Sequence, residues 1–329
     1  MIFKKKLFLL SFLAGALVII YALTFLLSNE NRVSRSSRWS ALDAKAADSA
    51  DTIQITGTDA ISLVKINAEW FVKYEENNFP ARRSKIDDLL SALTRVAPYP
   101  VRSSSSSSYQ KFGLDEESAD RILVQEGQLT LLELYLGNAD AAGKEIFLRS
   151  GGGEVRSGED IFSGFLAGSR SAWYDTRLFP DHDKTGLTVD AVQRFRVIPP
   201  TGASDGDASA FPATTPYSLV RSEESWKFDG SDENIDAPTV NAAIRFILDC
   251  GGDDIISCFD PSDPDFSEKN NAAARIILET GDGSNRVITL GEKVNDKYSA
   301  AVTGSKYIYS LADWTLARLW RDKNDYLAK

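Results

Sequence analysis

The polar segment 181–190 contains the residues whose types and spacing most resemble a catalytic or metal-binding site. His182 is the only histidine of the chain, so a Ser-His-Asp or Cys-His nucleophile system would have to use it. It lies in the loop-like sequence PDHDKTG, and the motifs HExxH, GxxxxGKS/T and GxGxxG are absent. We therefore predict no catalytic residue, no cofactor-binding residue and no cofactor.

The same segment carries part of a calcium-loop pattern. Asp181, Asp183 and Thr185 fit its positions one, three and five. Position twelve of such a loop supplies a bidentate carboxylate, and here it is Val192. We therefore favour a solvated linker over a metal site for residues 181–190.

Cys250 and Cys258 are the only cysteines, and two cysteines are too few for a structural zinc site. Their separation allows a disulfide if this part of the chain lies outside the cytoplasm. The other interpretation is two free, partly buried thiols. The sequence favours the free thiols and leaves the bridge open.

The charge of the chain is unevenly distributed. Lys4, Lys5 and Lys6 are the only charged side chains before residue 28, which leaves 34 basic and 47 acidic residues, a net charge of −13, for the rest of the 329 residues. An acidic body repels nucleic acid and anionic lipid surfaces, so we predict neither as a partner.

The N-terminal sequence predicts a membrane anchor. LFLLSFLAGALVIIYALTFLL, at Leu7–Leu27, has no charge and reaches the length of about 20 residues that a spanning helix needs. It exceeds the apolar core of a cleavable signal, so residues 1–28 are interpreted as a retained single-pass signal anchor. The lysines favour a cytoplasmic N-terminus in the inner membrane, with a periplasmic body. Residues 29–50 predict a polar tether.

Two stretches of the chain repeat one phrase. ISLVKINAEWFV at 61–72 and YSLVRSEESWKF at 217–228 match at an offset of 156. RILVQEGQLTLLELYLG at 121–137 then aligns without a gap on RIILETGDGSNRVITLG at 275–291, at an offset of 154. Ordered matches at a slowly drifting offset predict an internal duplication.

Each copy predicts hairpins, one helix and further strands. Apolar residues at helical spacing mark the two helices, and Ser84 is predicted to cap the first one. The expected fold is α+β: a transmembrane helix, then two tandem repeats, 51–180 and 191–329, each a mostly antiparallel sheet with a helix on one face. Residues 199–216 form a flexible insertion in the second copy, because they are rich in Gly, Pro, Ser and Ala.

Several of these features resemble the domain-of-unknown-function family four-three-four-zero. They are the lysine-led anchor, the Ser-x-Val strand running into Trp70, the sequence FGLD at Phe112–Asp115, the Leu-x-Leu-Gly strand end at Gly137 and the Arg-containing strand KEIFLRS. The resemblance spans nearly the whole chain after the anchor. The second copy departs from it, with SCFDPSDPDF where FGLD is expected.

The resemblance implies a bacterial, membrane-anchored protein, often encoded beside gliding-motility-type ABC transporter components. It implies no catalytic or binding residue. We therefore expect a non-enzymatic extracytoplasmic binding or scaffold protein, an accessory of an ABC-type transport system whose partners are a permease and an ATPase. The alternative is a cell-envelope hydrolase that uses carboxylates.

Overall fold

A computed structural model describes residues 38–200, 215–223, 225–260, 266, 274–294 and 296–328 of the chain. The predicted anchor at Leu7–Leu27 and residues 201–214 of the predicted insertion lie outside these residues. Within the described part, no helix is long and apolar enough to cross a membrane.

Two β-sheets make up most of the regular secondary structure of the described residues, with few helices, in agreement with the predicted α+β class. The first sheet has nine strands, in the order β5-β4-β3-β2-β8-β9-β10-β11-β7. Its strands are β2 (Thr52–Thr56), β3 (Ala60–Ile66), β4 (Glu69–Tyr74), β5 (Asn77–Pro80), β7 (Val101–Ser103), β8 (Asp120–Glu126), β9 (Leu129–Ala139), β10 (Glu145–Ser150) and β11 (Val155–Glu159).

The second sheet has eight strands, in the order β14-β13-β12-β16-β17-β18-β19-β15. Its strands are β12 (Val192–Ile198), β13 (Tyr217–Ser222), β14 (Ser225–Phe228), β15 (Asp254–Cys258), β16 (Arg275–Thr280), β17 (Asn285–Val294), β18 (Lys297–Val302) and β19 (Tyr307–Ala312). A separate two-stranded pair joins β1 (Arg38–Trp39) to β6 (Ala97–Pro98).

In the described residues six α-helices accompany the sheets: α1 (Ala44–Ser49), α2 (Arg83–Thr94), α3 (Tyr109–Phe112), α4 (Ser163–Leu166), α5 (Ala237–Asp249) and α6 (Asp313–Leu319). Short 3-10 turns cover Ser106–Ser108, Arg170–Trp173 and Lys323–Tyr326. The two long helices, α2 and α5, are the ones that the apolar spacing of the sequence predicts.

Helix α2 buries Ile86, Leu89 and Leu93, which repeat every three or four residues on one face. The predicted cap at Ser84 is wrong, because the helix begins one residue earlier, at Arg83. Helix α5 buries an equivalent row along its length and has a proline in its first turn, where the missing N–H costs no intrahelical bond.

Part of the predicted tether is folded. Asp43 caps helix α1 by accepting from the backbone N–H of Lys45, at 2.9 Å. Leu42, just before it, is buried, and its N–H donates to the carbonyl of Leu93. The small apolar residues that looked like a tether in sequence thus reach the core, because Leu42 and Ala47 lie against it together.

The sequence FGLD builds a core corner of the first sheet. Gly113 ends α3 in the left-handed conformation that glycine adopts without steric cost. Leu114 then enters a buried cluster with Tyr135 and Val155. Arg149, only 1% exposed, donates from Nε to the Leu114 carbonyl at 2.8 Å. The FGLD motif is therefore a packing motif in this chain.

The described chain forms two compact units whose limits differ from the predicted repeats. One unit combines the described residues up to Ile61 with Asp87–Ala167, and the other combines Ser62–Ile86 with Gly168–Lys329. Strands β4 and β5 belong to the second unit, in which the Tyr307 hydroxyl donates to the Asn78 carbonyl and the Phe79 and Tyr307 rings lie 5.8 Å apart.

Candidate functional site

A pocket of about 530 Å³ lies within the second unit, and its volume falls in the range of about 300–1,000 Å³ that small-molecule sites occupy. Strands β4 and β5, the segment 178–187, strand β17 and the turn from β18 into β19 form its walls. The lining residues are Glu69, Phe71, Pro80, Leu178, Phe179, Pro180, His182, Thr185, Leu187, Arg286, Thr303, Gly304, Ser305, Lys306, Tyr307 and Tyr309.

Part of the apolar lining comes from side chains that belong to the core, and part from Phe71, Pro80 and Pro180, which keep exposed surface. Leu178, Phe179 and Leu187 are buried, so they present only a small area to the pocket. The N–H of Leu178 donates to the Cys250 carbonyl, and the N–H of Leu187 to the His182 carbonyl. These bonds fix the wall, although the segment belongs to no helix or strand.

Two cations line the pocket. Arg286 lies on β17 in the same alternating row as Ile288 and Leu290, which are both core residues. Lys306 lies in the turn before β19, where its carbonyl accepts from the N–H of Phe259. Within the part of the chain that the structure describes, neither side chain makes an ion pair.

Hydroxyl groups add hydrogen-bonding capacity. The Ser305 and Tyr309 hydroxyls lie 3.0 Å apart, and the Tyr307 hydroxyl donates to the Asn78 carbonyl at 3.1 Å. Burial raises the pKa of Tyr309, and burial followed by the neighbouring Cys258 raises the pKa of Tyr307. Both phenols therefore keep their protons at neutral pH and remain donors.

His182 lies at the edge of the pocket with both ring nitrogens engaged. Its Nδ1 is 3.1 Å from the Leu187 carbonyl oxygen, and its Nε2 is 3.0 Å from Oδ1 of Asp249. A base that already holds two oxygen partners has no free nitrogen for a substrate proton. The geometry gives His182 the role of joining the segment 178–187 to the end of helix α5.

The residues of the calcium-like pattern make local contacts instead of converging. Oδ1 of Asp181 pairs with Nζ of Lys184 at 2.9 Å, and that hydrogen bond lowers the pKa of Asp181. The Thr185 hydroxyl donates to the His182 carbonyl. Asp183 approaches the ring of His182, at 3.3 Å from Nδ1. Among the described residues, no three His, Cys, Asp or Glu side chains form a group suited to a metal ion.

The two cysteines lie at the ends of two neighbouring elements of the chain. Cys250 follows the last residue of α5, and Cys258 is the last residue of β15. Of the two states left open by the sequence, the structure has the free thiols, one buried and one exposed. Sγ of Cys258 lies 3.2 Å from Oδ1 of Asn77.

Trp70 and Trp226 are buried at matching positions of β4 and β14. Each is paired across the strands with a cation, Lys65 in the first sheet and Arg221 in the second. The cation–ring distances are 5.8 Å and 4.6 Å. Both tryptophans are buried anchors of their sheets.

One nucleophile-type pattern does occur in the sequence. GASDG at residues 202–206 has the GxSxG spacing of a nucleophile elbow. It lies in the Gly-, Pro- and Ser-rich stretch outside the described residues. The pattern acquires chemical meaning only in a strand–turn–helix context.

Sequence reasoning did not find the cations of the pocket. A signal for Arg286 exists in the ungapped sequence match of 121–137 with 275–291, where it stands opposite Leu132, a buried residue of the first sheet. A charge in place of a core leucine marks a position that packing alone does not explain. Lys306 has no such signal, because it lies in a turn.

The fold and the pocket define a class: an α+β protein with two antiparallel sheets and a small-molecule-sized pocket that carries unpaired cations. The chain belongs to the family described as Domain of unknown function (DUF4340), whose family model matches residues 70–272. The match is narrower than the resemblance predicted from the sequence, since it begins at Trp70 and ends before β16, which leaves four of the eight strands of the second sheet outside it. No curated protein and no solved structure matches the chain.

Proposed function

We propose that this chain is a non-enzymatic binding or scaffold protein that works outside the cytoplasm, held at the inner membrane by Leu7–Leu27. The observation that carries the binding role is the pocket of about 530 Å³ with Arg286 and Lys306 in its lining. Cations that make no ion pair are partners for an incoming group, because a bound anion would neutralise them.

The association with an ABC-type transport system rests on the family resemblance and the anchor sequence. Affinity capture of the full chain from solubilised membranes tests it. A permease and an ATPase that copurify with the chain support the proposal, and their absence after cross-linking in intact cells overturns it. A variant with Arg286→Glu and Lys306→Glu asks whether the pocket contributes to capture.

The matched control for that variant carries Arg245→Glu and Lys227→Glu. Both residues are exposed, on α5 and β14, and neither lines the pocket. The two double variants change the net charge equally, so a loss of capture confined to the first one is specific to the pocket.

The topology has its own test. A reporter that is active only in the cytoplasm, fused after Lys329, should stay silent, because the lysine cluster favours a cytoplasmic N-terminus and one span reverses the side. An active reporter would overturn the periplasmic location of the body.

The finer fold proposal is that residues 51–180 and 191–329 are copies of one ancestral unit. The strand orders support it, since β4-β3-β2-β8-β9-β10-β11-β7 and β14-β13-β12-β16-β17-β18-β19-β15 run through equivalent sequence positions. An experimental structure in which Trp70 and Gly137 fail to superpose on Trp226 and Gly291 would contradict it.

The alternative, a hydrolase with two facing carboxylates, would need such a pair in a cleft. Glu69 is the carboxylate in the described pocket lining. Replacing it by glutamine should leave partner capture intact if the chain is a scaffold, and should abolish any hydrolysis of cell-envelope material if it is an enzyme.

A further inference from the structure

We infer that the pocket binds a small organic anion with an apolar body, a step that rests on the proposed binding role. The ligand class follows from the two halves of the lining. One half is a patch of aliphatic and aromatic side chains, and the other is a pair of cations with hydroxyl groups beside them.

The position of Arg286 is the first argument. Strand β17 alternates, and the residues two and four places further along the same face, Ile288 and Leu290, are core residues. A guanidinium next to buried residues of a strand loses part of its hydration. An anionic partner offsets the free-energy cost of that loss. Within the described chain that partner is missing, although Arg286 is only half-buried.

The charge balance around the pocket is the second argument. His182 already contacts Asp249 through Nε2 and lies near Asp183, so its ring is engaged within the protein. Glu69 is the one acidic side chain in the described lining, against Arg286 and Lys306. A site with an excess of cations on a body of net charge −13 selects anions locally against the field of the whole protein.

The apolar wall decides what kind of anion fits. Phe71, Pro80 and Pro180, the apolar lining residues that keep exposed surface, would stay in contact with water if inorganic phosphate alone were bound. A ligand with an aromatic or aliphatic body covers that wall, and burial of apolar surface contributes about 25 cal/mol per Å². The Tyr309 phenol and the Ser305 hydroxyl, which lie 3.0 Å apart, are hydrogen-bonding groups of the same lining.

The probe for this proposal is 4-(trifluoromethyl)benzoate, observed by fluorine NMR line broadening with the full chain in a neutral detergent. The neutral compound 4-(trifluoromethyl)benzyl alcohol has the same apolar body without the charge. Specific broadening of the benzoate signal is the expected result. The combination Arg286→Met and Lys306→Met should weaken benzoate binding by about tenfold or more, because the charge-assisted bonds are lost.

Two further variants keep the test independent of folding. Arg245→Met with Lys227→Met removes the same charge away from the pocket and should leave the binding unchanged. Thr185→Trp places a large side chain at the pocket edge, keeps every cation, and should also abolish benzoate binding. Near-UV circular dichroism of each variant confirms that the fold is retained.

Each remaining outcome has a fixed meaning. Equal benzoate binding by wild type and the Arg286→Met/Lys306→Met variant would overturn the proposal. Displacement of the benzoate by inorganic phosphate at equal concentration would overturn the apolar part of it. Failure of this experiment leaves the copurification of a permease and an ATPase unaffected, so the ligand class and the scaffold role fail separately.

Discussion

The order of the eight strands in the second sheet corresponds to that of eight strands in the first. The two sheets differ in the side chains at one cross-strand pair, which lies between β9 and β10 in the first sheet and between β17 and β18 in the second. In the first sheet Tyr135 of β9 pairs with Arg149 of β10. In the second, the pair at the same register is Thr289 of β17 with Ala301 of β18. The guanidinium of Arg149 lies 3.7 Å from the Tyr135 ring centroid and 4.4 Å from that of Tyr109.

The smaller pair leaves space in the second sheet. A pocket of about 480 Å³ is lined there by Thr289 and Ala301, with Phe259 and Phe266 across from them. One frame can therefore carry either a filled polar corner or an opening, because the hydrogen-bonded strands hold their positions whichever side chains project from them. At this place the two sheets therefore differ in their side chains and not in the order of their strands.

Arg149→Ala should have the largest effect on this comparison. The substitution leaves the Leu114 and Gly151 carbonyls without their donor and opens a cavity between two tyrosines. We expect a loss of about 4 kcal/mol in the free energy of unfolding. Urea denaturation of the full chain in neutral detergent, followed by tryptophan fluorescence, measures it. Arg95→Ala, at an exposed ion pair with Glu159, is the control and should cost below about 1 kcal/mol.

Gly137 and Gly291 occupy the same place in β9 and β17 but tolerate a methyl group differently. A Cβ at Gly137 would lie 2.3 Å from the Phe112 carbonyl oxygen, which is backbone. At Gly291 the nearest atoms are side-chain atoms, led by Oγ of Ser299 at 2.6 Å. We expect Gly137→Ala to cost about 3 kcal/mol and Gly291→Ala about 1 kcal/mol.

Gly152→Ala is the control for both glycines, because its Cβ would meet nothing within 4 Å. The same denaturation measurement applies to all three variants. Equal losses at Gly137 and Gly291 would mean that the two strands are held equally rigidly, which contradicts the contrast between backbone and side-chain neighbours.

The two cation–tryptophan pairs should also differ in how much they contribute to the free energy of unfolding. Arg221 donates to the carbonyls of Val192 and Val189, at 3.0 and 2.7 Å, in addition to stacking over Trp226. Lys65 only approaches the ring of Trp70. We expect Arg221→Ala to cost about 2 kcal/mol and Lys65→Ala about 0.5 kcal/mol in unfolding free energy. A larger loss for the lysine variant would contradict the assignment of the buried hydrogen bonds.

The cysteines are found in the second half only, where the first has Thr94 and Arg102 at an offset of 156. Burial raises the pKa of Cys250 to about 11, whereas Cys258 is exposed. At pH 8 a thiol reagent should label Cys258 quickly and Cys250 slowly, and labelling of Cys250 should accelerate as the pH rises towards 11, because the thiolate is the reactive form.

Unreduced, denatured protein should then show two free thiols. An absence of free thiols would establish the disulfide that the sequence left open. Cys258→Ser is the control, since it removes the fast phase and leaves the slow one. The Cys258→Ser substitution is not expected to change the free energy of unfolding measurably if both thiols are free.

The amino-acid sequence by itself determined the class of the fold and the sites of its regular elements. Hydrophobic periodicity predicted helices α2 and α5, because apolar residues that recur every three or four positions lie on one face of an α-helix. These are local properties, carried by neighbouring residues.

The tertiary structure alone decided the candidate site. The pocket brings together residues that lie more than 200 positions apart in sequence, from Glu69 to Lys306, with His182 and Arg286 between them. They share one pocket because strands β4, β17 and β19 and the segment 178–187 surround it in the second unit. It also overturned the cap at Ser84 and folded Leu42 into the core. Such outcomes depend on which distant side chains compete for the same space, and the sequence does not state those distances.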